Sequence, residues 1–76
     1  MNFFNGKTMR VQINGEAREV AEALKLSALV NELSLAPERV AIELNQQVVR
    51  RNQWPTTILA EGDRIEIVHF VGGGKQ

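Results

Sequence analysis

The fold is decided by one short stretch near the start of the chain, Met9-Arg10-Val11-Gln12-Ile13-Asn14-Gly15. Its apolar and polar side chains alternate, which is the period of a strand with one buried face. An Asn-Gly pair follows at once, and both residues tolerate the positive φ angles of a type I′ turn. The stretch therefore predicts a first strand that turns back on itself as a β-hairpin.

Two interpretations fit the segment after this turn. Glu16–Val20 is either the return strand of the hairpin or, by its composition, the start of one long helix that runs to Leu35. Hydrophobic spacing favours the strand, because the apolar positions of one helix face begin only at Leu26, and Val20 and Leu24 lie out of phase with them. We expect the helix to begin with Ser27 as its N-cap and to extend no further than Ala36, since Pro37 follows.

The second half of the chain reads as short strands separated by turns. The predicted elements are a strand over Val40–Leu44, a turn at Asn45–Gln47, a short pairing segment at Val48–Val49, a loop or single helical turn at Arg50–Pro55, a short strand at Thr57–Leu59, a turn at Glu61–Asp63 and a last strand over Arg64–Val71. Their sum is a small mixed sheet with one helix on its buried face, an α+β architecture.

The last strand changes face partway along its length. Ile65 and Ile67 point to one side, whereas Val68 and Phe70 fall on the other side together with Glu66. Either a bulge resets the alternation, or Val68 and Phe70 form an exposed apolar patch on which a partner could rest. The sequence leaves both readings open.

Composition excludes several function classes. The 76 residues allow one domain, and nine Lys plus Arg balance nine Asp plus Glu, so neither nucleic acid nor a membrane is an expected partner. Zero Cys and a single His leave no expected metal site and no thiolate nucleophile. With no long apolar segment and no catalytic set in view, we expect a cytoplasmic protein that is not an enzyme and binds no cofactor itself.

The remaining conspicuous residues have ordinary structural explanations. His69 is expected to be a half-exposed strand residue, Trp54 a packing residue at the edge of the sheet, and Arg50 with Arg51 a solvated turn. Glu61 and Asp63 suit turn chemistry better than a catalytic carboxylate pair. The Gly-rich run before Lys75 is not a phosphate loop, because no helix follows it.

The segment Gly72-Gly73-Gly74 cannot contribute to a core, and its lack of side chains predicts a flexible tail. Upstream of it stand Ala41-Ile42-Glu43-Leu44-Asn45-Gln46-Gln47-Val48-Val49-Arg50-Arg51, Trp54, and Gly62-Asp63-Arg64-Ile65-Glu66-Ile67. In this order and with the closing Gly73-Gly74, the chain resembles the ThiS family, the sulfur carriers of thiamine biosynthesis, from about Met9 to Gly74.

The resemblance implies a ubiquitin-like β-grasp fold and a carrier role. In that family an E1-like adenylyltransferase (ThiF-like) uses ATP to adenylate the terminal glycine, and sulfur from a persulfide then gives a thiocarboxylate, which supplies a thiazole synthase (ThiG-like). By this resemblance Gly74 carries the sulfur, and Gly72, Gly73 and Gly74 enter the partner active sites. Here Lys75 and Gln76 follow Gly74, so we expect a tail-processing protease to trim the chain after the diglycine. A cloning scar, a relative that has lost the carrier role and a carrier that ends differently are the alternatives.

These inferences divide the chain into an N-terminal extension over residues 1–8, for which we expect disorder, a β-grasp domain over 9–71, and a tail over 72–76. Two other functions stay open. One is a carrier like the small subunit of molybdopterin synthase, which has a similar glycine terminus, and the other is a ubiquitin-like binding module with an inert tail.

Overall fold

The hairpin predicted from Asn14 and Gly15 forms one side of a five-stranded sheet. The structure, a computed structural model, describes residues 6–70. Its elements are β1 (Thr8–Ile13), β2 (Glu16–Ala21), helix α1 (Leu26–Glu32), a 3₁₀ turn (Pro37–Arg39), β3 (Val40–Leu44), β4 (Gln47–Val49), a second 3₁₀ helix (Arg51–Thr56) and β5 (Arg64–His69). Both turn residues have positive φ, 50° at Asn14 and 86° at Gly15, and Met9 pairs with Val20 across the hairpin. The return strand is thus confirmed, and the single long helix is excluded.

The order of strands in the sheet is β2-β1-β5-β3-β4. The last strand is therefore central, parallel to β1 on one side and antiparallel to β3 on the other. The remaining neighbours, β1 with β2 and β3 with β4, are antiparallel. This is the mixed sheet of an α+β domain, and it places the strand that leads to the tail in the middle of the molecule.

The core lies between α1 and one face of this sheet. The helix contributes Leu26, Leu29 and Val30, all at most 2% exposed. With seven residues α1 is too short to be stable alone, so packing of this apolar side must hold it. Trp54 in the second 3₁₀ helix is 3% exposed and donates its indole N–H to the carbonyl oxygen of Val49 at 2.9 Å, which confirms its packing role.

The predicted N-cap is wrong. The helix begins at Leu26 with Lys25 as N-cap, and no side chain caps it, so Ser27 lies inside the first turn. The N–H of Leu26 instead donates to the carbonyl oxygen of Thr57 at 2.8 Å. The carbonyl oxygen of Thr57, which is distant in sequence, therefore satisfies the first N–H of the helix, so the hydroxyl of Ser27 is not needed as a cap.

The helix also ends earlier than Pro37 requires. Ser34 has a φ of 58° and donates its N–H to Asn31, while Leu35 donates to Val30, which is the pattern of a Schellman motif. The predicted strand at Thr57–Leu59 is reduced to a single bridge between Ile58 and Lys25. Ile58 meets Lys25 because the chain before β5 passes the start of α1.

The predicted domain bounds stay a prediction. The first strand begins at Thr8, one residue before the expected start, but residues 1–5 and 71–76 lie outside the described residues. Within residues 6–70, no helix has the length and apolar character needed to cross a bilayer.

Candidate functional site

The functional residues expected from the sequence follow the end of β5. The described chain ends at Phe70, whose N–H donates to the carbonyl oxygen of Arg39 at 2.9 Å. Gly72, Gly73 and Gly74 lie outside the described residues. What the structure does describe is the strand that precedes this tail in the chain, together with the surface of that strand.

The last strand keeps its alternation without a bulge in its pairing with β3. The register is continuous from Leu44 opposite Ile65 to Val40 opposite His69. Val68 and Phe70 therefore lie on the face of the sheet away from α1, and each is 56% exposed. Of the two readings that the sequence left open, the exposed apolar patch is correct.

We call the surface that faces away from α1 the outer face. Along β5 it presents Arg64, Glu66 and then Val68, and Phe70 follows directly after the strand. Val48 on β4, 71% exposed, adds a third apolar side chain to it. Single exposed apolar residues are common, but three on one face of one sheet form a surface that a partner protein could cover.

Two glutamates stand at the centre of the outer face. Glu43 on β3 pairs directly with Glu66 on β5, and Val48 pairs with Glu43 on the other side. Like charges directly opposite each other on adjacent strands destabilise a sheet. They border a shallow depression of about 580 Å³, lined by Gln12, Gly15, Glu43, Gln46, Arg64, Glu66 and Val68. This acidic pair was missed in the sequence, because only the register of β3 with β5 brings it together.

The turn before β5 contains two more acidic residues, Glu61 and Asp63, whose carboxylates accept hydrogen bonds. Asp63 accepts hydrogen bonds from the N–H of Ala60 at 2.8 Å and from the amide of Asn45 at 3.0 Å. Glu61 accepts from the N–H of Arg10 at 3.0 Å. Gly62 between them has a φ of 86°, which favours glycine. Both carboxylates hold the turn through these hydrogen bonds, as predicted.

Asn14 has a second role, in addition to its role in the turn, that was missed in the sequence. Its side-chain oxygen accepts from the N–H of Ile67 at 2.7 Å, and its amide nitrogen donates to the carbonyl oxygen of Ile67 at 3.2 Å. From the sequence, Asn14 was only a turn residue. Its second role depends on the pairing of segments that are 53 positions apart, which no local pattern reveals.

Three other polar residues were singled out in the sequence. His69, Arg50 and Arg51 are exposed, as expected. Residues 6–70 hold no cluster of three or more His, Asp or Glu side chains arranged to bind a metal ion.

The ThiS family model matches residues 11–74 of this sequence. The chain belongs to the ThiS family. The match ends at Gly74, so Lys75 and Gln76 lie beyond it. The sulfur carrier protein ThiS of Escherichia coli is 30% identical over 66 residues, which cover 87% of this chain and 100% of that protein.

Solved structures agree with this assignment. The crystal structure of the thiamine biosynthesis protein ThiS from Geobacter metallireducens is 36% identical with a TM-score of 0.76, and the match covers 87% of this chain and 100% of that one. A computationally designed protein based on human erythrocytic ubiquitin, 16% identical, has a TM-score of 0.50 over 91% of this chain and 98% of its own. The expected ubiquitin-like β-grasp fold is thereby confirmed.

A thiazole synthase also contains a segment similar to this ThiS-family chain. The thiazole synthase of Magnetococcus marinus is 42% identical over 67 residues, which cover 88% of this chain but 21% of that protein. This chain thus spans about a fifth of the length of that relative.

Proposed function

We propose that this ThiS-family protein is a sulfur carrier of thiamine biosynthesis, in which Gly74 carries the sulfur as a thiocarboxylate. The observation that supports this most strongly is the family match, which ends at that glycine. The sulfur carrier of Escherichia coli, similar over its whole length, gives the same support. The protein is then a co-substrate of other enzymes rather than an enzyme.

The chemistry requires a free carboxylate at Gly74. In this sequence Gly74 is joined to Lys75 through an amide, which ATP chemistry does not activate. We therefore include cleavage after Gly74 by a protease in the proposal. A free α-carboxyl group has a reference pKa of about 3.3–3.7, so the product is an ionised nucleophile at neutral pH.

An E1-like adenylyltransferase then supplies the activation. The carboxylate oxygen of Gly74 attacks the α-phosphate of ATP and pyrophosphate leaves, which gives an acyl adenylate. The outer sulfur of a persulfide attacks the acyl carbon and AMP leaves. A second thiol, which this chain without cysteine cannot supply, then attacks the persulfide's inner sulfur in the resulting acyl disulfide. The original sulfur–sulfur bond of the persulfide breaks, a new disulfide forms between the two thiol sulfurs, and the thiocarboxylate is left on glycine. Gly72 and Gly73 lack side chains that would block a narrow enclosure from which water is excluded.

The outer face is the proposed docking surface for this enzyme. Val68 and Phe70 lie on the strand that leads directly to the tail, so a partner that encloses the tail comes close to them. The paired carboxylates of Glu43 and Glu66 favour a partner with a basic group at the centre of its contact. Each of these carboxylates faces the other across the β3–β5 ladder, so a partner cation would relieve their repulsion.

The proposed acceptor of the sulfur is a thiazole synthase. The relative from Magnetococcus marinus carries a segment similar to this chain within a protein of that name. A carrier segment and a synthase joined in one chain would be kept at high effective concentration, which suits a direct transfer between them.

Reconstitution with protein that ends at Gly74 tests the proposal. The protein is incubated with a ThiF-like enzyme, ATP and a persulfide donor, and its intact mass is measured. We expect a product in which one oxygen is replaced by sulfur, and ATP consumption that depends on the carrier. The matched control retains Lys75 and Gln76 and should remain unmodified. Absence of both the adenylate and the sulfur product in the shortened protein would contradict the proposal.

A further inference from the structure

Strand β1 stops before its parallel neighbour β5 does. The two strands pair only at Gln12 with Arg64 and at Ile13 with Ile65, because the chain turns away at Asn14 into the hairpin. The N–H of Asn14 makes one last backbone bond, to the carbonyl oxygen of Ile65 at 2.8 Å. From Ile67 onward, β5 therefore has a continuous strand neighbour, β3, on one side only among the described residues.

The side chain of Asn14 takes the place of the missing strand at Ile67. Its amide group presents one donor and one acceptor, as a peptide group does, and both are used. The N–H of Ile67 donates to the side-chain oxygen at 2.7 Å, and the carbonyl oxygen of Ile67 accepts from the side-chain nitrogen at 3.2 Å. No other residue type of similar size offers both groups in one plane. The sheet thus gains one more pair of hydrogen bonds on this side of β5.

We propose that Asn14 is a positioning residue for the carrier terminus. By holding Ile67 it supports β5 on the side where β1 has ended, and so fixes the position of the strand end from which the chain continues to Gly74. This inference rests on the proposed carrier function. Gly74 lies seven residues beyond Ile67, a reach of up to about 23 Å at ~3.3 Å per residue, so the position of the end of β5 sets which site the carboxylate can reach.

The chain offers a matched control in Asn45. This residue also ends a strand with a positive φ, 53° against 50° for Asn14. Its side chain also makes two hydrogen bonds at β5, accepting from the N–H of Arg64 at 2.9 Å and donating to Asp63 at 3.0 Å. These bonds hold the beginning of β5, at the end away from the tail. Glycine fits both backbone conformations, so Asn14→Gly and Asn45→Gly remove comparable bonds without adding backbone strain.

Two measurements on the shortened protein, ending at Gly74, separate positioning from general stability. Amide hydrogen exchange at Ile67 should be faster in Asn14→Gly than in the parent or in Asn45→Gly. Adenylation kinetics with a ThiF-like enzyme should show a kcat about tenfold lower for Asn14→Gly, because misplaced reactants react slowly, with KM nearly unchanged. Asn45→Gly should keep the parent kcat at a similar loss of thermal stability.

The outcomes separate this inference from the proposed function. Equal kcat values for the two variants, or unchanged exchange at Ile67 in Asn14→Gly, would overturn the positioning role. If the parent protein were never adenylated, the proposed carrier function would be contradicted. Exchange at Ile67 would then still decide whether Asn14 holds the end of β5.

Discussion

Replacing Glu66 by lysine should stabilise the protein and impair its docking at the same time. Glu66 stands directly opposite Glu43 in the β3–β5 ladder, so the parent carries a like-charge pair. A cross-strand charge pair is worth roughly 0.2–1 kcal/mol, with a sign set by the charges. Exchanging repulsion for attraction should raise the free energy of unfolding by about 1 kcal/mol, which for a domain of this size raises Tm by roughly 4–8 °C.

The same substitution should weaken recognition by the activating enzyme. If that enzyme places a basic group against the glutamate pair, a lysine at position 66 repels it, and KM for the carrier in adenylation should rise about tenfold or more. Thermal denaturation and initial rates are measured on the same preparations. Added salt should shrink both effects, because the charges are exposed.

Two further variants serve as controls for this substitution. Glu22→Lys changes the net charge equally, but Glu22 is exposed in the turn after β2, at the end of the hairpin away from Asn14 and Gly15. It should leave KM nearly unchanged. The double variant Glu43→Lys with Glu66→Lys restores a like-charge pair, so its Tm should return toward that of the parent. A lower Tm for Glu66→Lys would refute the assignment of repulsion, and an unchanged KM would refute the docking surface.

Three other substitutions test the core, the patch and the tail. Leu29→Ala empties a fully buried position and should cost about 2–5 kcal/mol in urea denaturation, roughly half of the ~4–11 kcal/mol expected for 76 residues; a cost below about 1 kcal/mol would contradict the packing described. Phe70→Ser should change Tm little, because the side chain is 56% exposed, yet raise KM for adenylation; an unchanged KM would remove Phe70 from the docking surface. Gly73→Val should leave the circular dichroism spectrum and Tm unchanged but abolish adenylation, because a branched side chain crowds the enclosure; full activity would contradict tail insertion.

Local patterns in the sequence predicted most of the fold. Strands β1 and β3 follow from alternation, and the hairpin follows from Asn14 and Gly15, because each of these signals lies within a few residues. The start of α1 was wrong because its first N–H is satisfied by Thr57, about thirty positions away. Such a contact replaces a local cap without leaving any trace in the local pattern.

The candidate site was predictable only in part for the same reason. The change of face in the last strand was enough to predict Val68 and Phe70 as candidates for an exposed patch. Only the continuous pairing with β3 shows that no bulge turns them toward the core. The opposition of Glu43 and Glu66 and the bonds of Asn14 to Ile67 arise from strand order and register. These are properties of the assembled sheet.

The intact mass of the protein purified from its own cells is the sharpest test of the carrier function. We expect a form that ends at Gly74, with a fraction in which one oxygen of the terminal carboxylate is replaced by sulfur. That fraction should disappear when the activating enzyme is deleted. A protein found only with Lys75 and Gln76 still attached, and never with sulfur, would contradict the carrier function.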